Sequence, residues 1–309
     1  MNFKFYILFL GIALANLIGY GQNYNKYCLY TDYAVKAYQN NNYQKAILLM
    51  DSAITKCPEE NNNAANWYNL SLFYKTLLKQ TKDNSLREKV LSSILKAKEL
   101  DENGELLKNI NSSIKNLAIL YKNDAILILN DTSTHFDGAL KNYDRYKSLL
   151  SINQPDKEFK NEDIEFYNVV AHMNNTKYEN NKQLYSNHLD SAIHYYQKIL
   201  LLEPNSTDTH EQLGILFFNQ AVDIINDIDP EANLEIVMKA DIKKAELALK
   251  SIPHFEKALK AAPSNSKIIY SLAGCYELLS LREKHEFYLK LLKEKDPKYY
   301  NEVYTYPSN

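Results

Sequence analysis

Two short phrases alternate along the chain, each spaced for one face of an α-helix, and their alternation limits what the chain can fold into. The first sets a large residue, a leucine, a small residue and an aromatic on one stripe: Trp67-x-x-Leu70-Ser71-x-x-Tyr74, Ile114-x-x-Leu117-Ala118-x-x-Tyr121, His210-x-x-Leu213-Gly214-x-x-Phe217 and Ile269-x-x-Leu272-Ala273-x-x-Tyr276. The second places small or apolar residues four and then three apart and ends near a proline: Ala46, Met50 and Ala53 before Pro58; Ala192, Tyr196 and Ile199 before Pro204; Ser251, Phe255 and Ala258 before Pro263. A weaker copy runs through Ala139, Tyr143 and Tyr146 before Pro155, and another through Ile94 and Ala97. These are helical periods, not the alternation of a half-buried strand. Seven glycines and eight prolines also leave little of the turn chemistry that an all-β or doubly wound α/β fold of 309 residues needs.

The distances agree with the phrases. Pro204 to His210 and Pro263 to Ile269 are both six residues, and Pro263 to Pro297 is 34. On these residues the chain resembles the tetratricopeptide repeat family, whose motif is W-x₂-L-G-x₂-Y, then A-x₃-F, then P over about 34 residues. The resemblance implies an all-α fold, a right-handed superhelical solenoid of antiparallel helix pairs. Small residues such as Ala34, Ser71, Ala118, Gly214 and Ala273 would let each first helix approach its second, where Ala46, Ala53, Ala192 and Ala258 make room. A hairpin alone leaves an apolar face bare, so hairpins must stack. Six units are expected, over 27–60, 61–103, 104–155, 156–204, 205–263 and 264–297, the middle ones lengthened by insertions that read as elongated helices. Asn40 to Asn42, Asn61 to Asn63, Asn174-Asn175 and Asn180-Asn181 fall at the expected turns, where asparagine tolerates left-handed backbone and bonds its own main chain. Pro253 interrupts a helical run, either starting a new helix or kinking a long one.

At the N-terminus, Lys4 precedes an apolar run from Phe5 to Ile18 and the small residues of Gly19-Tyr20-Gly21. That is the layout of a secretory signal over 1–21, with Gln22 as the new N-terminus; retention as an anchor is the alternative. The repeat domain is then 22–297, and 298–309 is a tyrosine-rich tail, either a cap on the last hairpin or a docking patch. The expected location is outside the cytoplasm, in a periplasm or secreted, with no membrane span after cleavage. With 36 basic and 38 acidic residues the net charge is −2, so no bulk field draws the chain to nucleic acid, which is not an expected partner.

Cys28, Cys57 and Cys275 form no CxxC pair, so no metal site is expected. In a helical hairpin Cys28 and Cys57 lie near the open ends of antiparallel helices, and an oxidising compartment allows a disulfide between them. Two unpaired, half-buried thiols are the other reading. Cys275 reads as a small core residue. Seven histidines give no His-Glu-x-x-His, His188 and His194 read as surface residues, and neither a G-x-S-x-G elbow nor a phosphate loop occurs. Asp227, Asp229 and Glu231 read as a solvated turn. No catalytic residue and no cofactor is therefore expected.

What the resemblance implies is protein binding on a concave face lined by first helices. Residues beside the packing stripe would face it: Tyr38, Tyr68, Leu72, Lys75, Lys115, Asn168, His172, Glu211, Phe218, Tyr270 and Glu277. Aromatics supply contact area there and a few charges set register. One family subset grips a terminal carboxylate, but Thr31 and Val35, then Tyr68 and Leu72, stand where its Lys and Asn would be, so that specificity is not implied. The expected role is a non-enzymatic scaffold or adaptor of a bacterial envelope. A helical carbohydrate- or nutrient-binding component of an outer-membrane uptake system is the alternative.

Overall fold

The computed structural model describes residues 28–130 and 136–305, and every regular element among them is a helix. The expected signal segment, 1–21, and the last four residues lie outside the described part. In chain order the helices are α1 (Leu29–Gln39), α2 (Tyr43–Lys56), the single turn α3 (Pro58–Asn61), α4 (Ala64–Thr81), α5 (Leu86–Leu100), α6 (Leu107–Asn130) and α7 (Asp137–Asn153). They continue with α8 (Lys160–Asn180), α9 (Ser186–Leu202), α10 (Thr207–Asn226), α11 (Leu234–Ala261), α12 (Ser266–Leu278), α13 (Arg282–Lys295) and α14 (Pro297–Thr305).

Neighbours in sequence pack as pairs: α1 on α2, α4 on α5, α8 on α9, α10 on α11 and α12 on α13. α6 and α7 meet where Lys122 lies over the Tyr146 ring and Ile128 reaches Gly138. Short connections turn each pair back on itself. Among the described residues the fold is thus all-α and built of antiparallel helix pairs. The insertions are absorbed mainly as longer helices: α4, α6, α8 and α10 run 18, 24, 21 and 20 residues.

The chain divides within α6, between Ile114 and Lys115, into two compact units. In the first, Ala34, Ala46, Met50, Ala53, Ile94 and Ala97 are completely buried, and Leu70 and Phe73 nearly so. Tyr74, the aromatic of the first phrase, hydrogen-bonds Asp51 on α2, and burial followed by that carboxylate pushes its hydroxyl up to about 12. Cys28 and Cys57 are joined by a disulfide, their Cα atoms 6.2 Å apart, which ties the start of α1 to the end of α2.

In the second unit one apolar cluster joins α8, α9, α10 and α11 through Ala171, Ala192, Tyr196, Leu213, Phe217 and Leu247. Another joins α11 and α12 through Phe255, Ala258, Ile268, Leu272 and Tyr276. The small residue of the phrase is needed at Gly214: a Cβ there would sit 2.7 Å from the Phe255 ring. Ser251, fully buried, donates to the Gly214 carbonyl at 2.7 Å, so α10 and α11 touch backbone to side chain. Pro253 neither starts a helix nor ends one, since α11 is continuous over 28 residues.

Two sequence expectations are refined. Of the asparagines at turns, Asn41 has a left-handed φ of 59°, whereas Asn42 and Asn63 serve as N-caps, accepting from the Lys45 and Ala65 amides. Asn174 and Asn175, expected at a turn, instead lie inside α8, and Asn174 is buried. Its amide donates to the Val170 carbonyl at 2.8 Å and its oxygen meets His188 Nδ1 at 2.7 Å. His188 is consequently a half-buried packing residue, not a surface one. His194 is exposed as expected.

Candidate functional site

On the first unit, Tyr38 is committed to internal packing. Its ring lies on Phe73 with centroids 4.6 Å apart, and its hydroxyl is 2.9 Å from Thr76 Oγ1 on α4. Tyr68, Leu72 and Lys75 share α4 and are half-buried. Burial, with Lys79 beside it, lowers the Lys75 ammonium below its ordinary range.

On the second unit Lys115, Asn168 and His172 stand exposed on α6 and α8. Glu211 on α10 is half-buried and accepts from Asn265 Nδ2 at 3.3 Å, which ties α10 to the turn before α12.

Three candidates converge. Phe218 on α10, with Tyr270 and Glu277 on α12, line one cleft of about 400 Å³, together with Val222, Ile225, Lys244, Gly274, Leu278 and Tyr304. Gly274 makes the cleft possible, because a Cβ there would sit 2.8 Å from the Phe218 ring. Tyr304 comes from α14. Tyr270 meets both Tyr299 and Tyr304 edge-on at 6.3 Å, and Tyr300 stacks on Tyr304 at 5.2 Å. Burial, then Glu277 and the neighbouring tyrosines, hold the Tyr304 hydroxyl up at about 12, so it stays a neutral donor near neutral pH. Lys244 pairs with Asp241 at 2.7 Å. The result is an aromatic cleft with one carboxylate and one ammonium among its lining residues, shaped to hold an apolar side chain and orient a polar neighbour.

Phe218, Tyr270 and Glu277 share a face that the helical period predicts, whereas Tyr304 joins them from outside that pattern. The available signal was the four-residue spacing of Tyr300 and Tyr304, which puts both on one stripe of a helix.

Three histidines of the second unit, His210, His254 and His285, are engaged in packing. His210, 2% exposed, has Nε2 3.0 Å from the Pro204 carbonyl and Nδ1 2.9 Å from His254 Nδ1. A carbonyl only accepts, so Nε2 of His210 carries its proton, Nδ1 accepts, and His254 Nδ1 donates. His285 Nδ1 meets the Ala273 carbonyl at 2.9 Å. Asp227, Asp229 and Glu231 do come together, lining an open hollow of about 630 Å³ where α10 turns into α11. Asp229 accepts from the Glu231 amide at 2.9 Å and so serves the turn. Among the described residues no group of three or more His, Cys, Asp or Glu could hold a metal ion, and no helix is long and apolar enough to cross a membrane.

Neither a family model nor a curated protein sequence matches the chain. Among solved structures it is similar to MamA, at 15% identity over 91% of this chain and 96% of that one, with a TM-score of 0.29. It is similar also to human IFIT1, solved as a dimer with the capped RNA m7Gppp-AAAA, at 17% identity over 86% and 67% with a TM-score of 0.31. The TPR domain of P58(IPK) aligns at 11% identity over 86% and 92% with a TM-score of 0.25. The helix-pair architecture stands on this chain's own packing, not on these likenesses.

Proposed function

We propose that the protein is a non-enzymatic interaction scaffold, exported by its N-terminal segment into a bacterial envelope, that holds a partner protein on the first-helix face of its second unit. One observation carries the reading: Phe218, Tyr270 and Glu277 come from two successive first helices into a single aromatic cleft. Such a cleft suits an extended segment or a helix of another protein. The aromatic rings offer area at low entropic cost, and Glu277 and Lys244 fix direction through charge. His210 and His254 bond each other and His188 bonds Asn174, so these three imidazoles serve packing, which supports a binding role.

The test is affinity capture from the native envelope extract, with bound proteins identified by mass spectrometry and glycans assayed in parallel. A stoichiometric protein lost from a Tyr270→Ala, Tyr304→Ala variant supports the scaffold. Each anchor is expected to contribute about 2 kcal/mol, so the double variant should bind several hundredfold more weakly, on the order of 500-fold. Glycan enrichment without protein would replace this reading with the uptake alternative.

A further inference from the structure

The second helix of the fifth pair, α11, is 28 residues long against 20 for α10, and its first half carries a bare apolar row. Leu234, Met238, Ile242 and Leu249 are 73, 56, 60 and 60% exposed. At 100° per residue these four and Ala245 fall within a stripe about 80° wide. Leu247, Ala248, Ser251 and Phe255, on another side of the helix, are the ones buried against its neighbours. A lone exposed leucine needs no explanation, but a continuous row does.

We propose that this row joins α11 of a second copy of the chain as an antiparallel helix pair about a two-fold axis. From Met238 the apolar steps are four, three and four, the spacing of a coiled-coil seam, with Ile242 and Leu249 at a and Met238 and Ala245 at d. In the antiparallel arrangement a faces d, so Ile242 meets Ala245 of the second copy and Met238 meets Leu249 of the second copy. The larger residue is matched by the smaller at the centre, and the long methionine fills the ends.

The flanking charges choose both the partner and the direction. Lys239 and Glu246 occupy e, and Asp241 and Ala248 occupy g. Antiparallel pairing sets e against e, placing Lys239 opposite Glu246 of the second copy, and by symmetry this happens twice. Parallel pairing would set g against e and bring Asp241 onto Glu246, two like charges. In the single copy Lys239 and Glu246 make exposed pairs along their own helix, Lys239 to Glu235 at 2.6 Å and Glu246 to Lys243 at 3.6 Å. Such pairs are weak and are exchanged at little cost. The seam is short, so the interface lies at the small end of specific contacts and the dissociation constant is on the order of 10–100 µM. This site is separate from the aromatic cleft and does not depend on it.

The experiment is sedimentation velocity on the intact protein from about 1 to 300 µM, a range that brackets that constant. Wild type should pass from monomer to dimer. Ile242→Glu should stay monomeric throughout. Lys239→Glu should weaken the dimer about tenfold or more, and adding Glu246→Lys should return it to within about threefold of wild type. All four positions changed or contacted are exposed or half-exposed, and circular-dichroism melts confirm that each variant is folded. A wild type that remains monomeric at the top concentration overturns the proposal. So does a dimer indifferent to Ile242→Glu, and so does a charge reversal that fails to restore pairing.

Discussion

At the scale of single residues, Gly214 sets how closely α10 and α11 approach, and His210 and His254 bond across them. Because a Cβ on Gly214 would meet Phe255 at 2.7 Å, Gly214→Ala must displace a fully buried ring. A loss of about 1–3 kcal/mol is expected, read as a lower urea midpoint at unchanged m-value. His254 makes the same contact sensitive to acid. Burial first, and then His210 and Lys257, bring its pKa down to about 4 from an ordinary 6.5. Below about pH 6.5 the unfolded chain takes up a proton that the folded chain refuses. Stability is therefore complete above that pH and declines as pH falls toward 4. Urea titrations at pH 7.5, 6, 5 and 4.5 should show this decline in wild type, and His254→Gln should flatten its slope across that window. Residue types were legible at this scale only in part. Gly214 was recognisable as a close-approach position because it sits in a repeated phrase, whereas the His210 to His254 contact joins residues 44 apart that no local pattern relates.

At the scale of elements, the helices were readable because their apolar period is long and strong, and the refinements arise where a tertiary partner overrides a local signal. Pro253 occupies a helix interior because α11 is packed against α10 and α12 on either side of it, and that packing outweighs one missing amide. Asn174 is buried inside α8, where a turn was expected, because His188 and the Val170 carbonyl satisfy its side chain. α1 buries only Ala34 and Ala37, and the Cys28 to Cys57 disulfide adds to its hold by closing a loop of 29 residues. In the chain-entropy account this is worth roughly 3–4 kcal/mol. Non-reducing peptide mapping should recover the linked pair, and Cys28→Ser should lower the melting temperature of the first unit by about 10 °C or more. Two free thiols, or an unchanged melt, would remove the disulfide from the account.

For the molecule as a whole, the helix-pair fold could be read from the sequence because it follows from periodicity. The site was readable only as a face. Periodicity says which side of a helix points away from its own partner, but not which of those residues a neighbour then covers. Tyr38 is lost to Phe73 and Thr76 for that reason, and Glu211 is engaged by Asn265. Tyr304 joins the cleft because α14 folds back against Tyr270, a contact between residues 34 apart with no shared motif. The central claim is that a partner protein occupies the cleft between α10, α12 and α14, and hydrogen–deuterium exchange on the captured complex addresses it directly. Slowed exchange is expected in peptides spanning 214–226, 266–278 and 297–305, lost with Tyr270→Ala, Tyr304→Ala. Protection confined to other helices, with these three peptides unchanged, would contradict it.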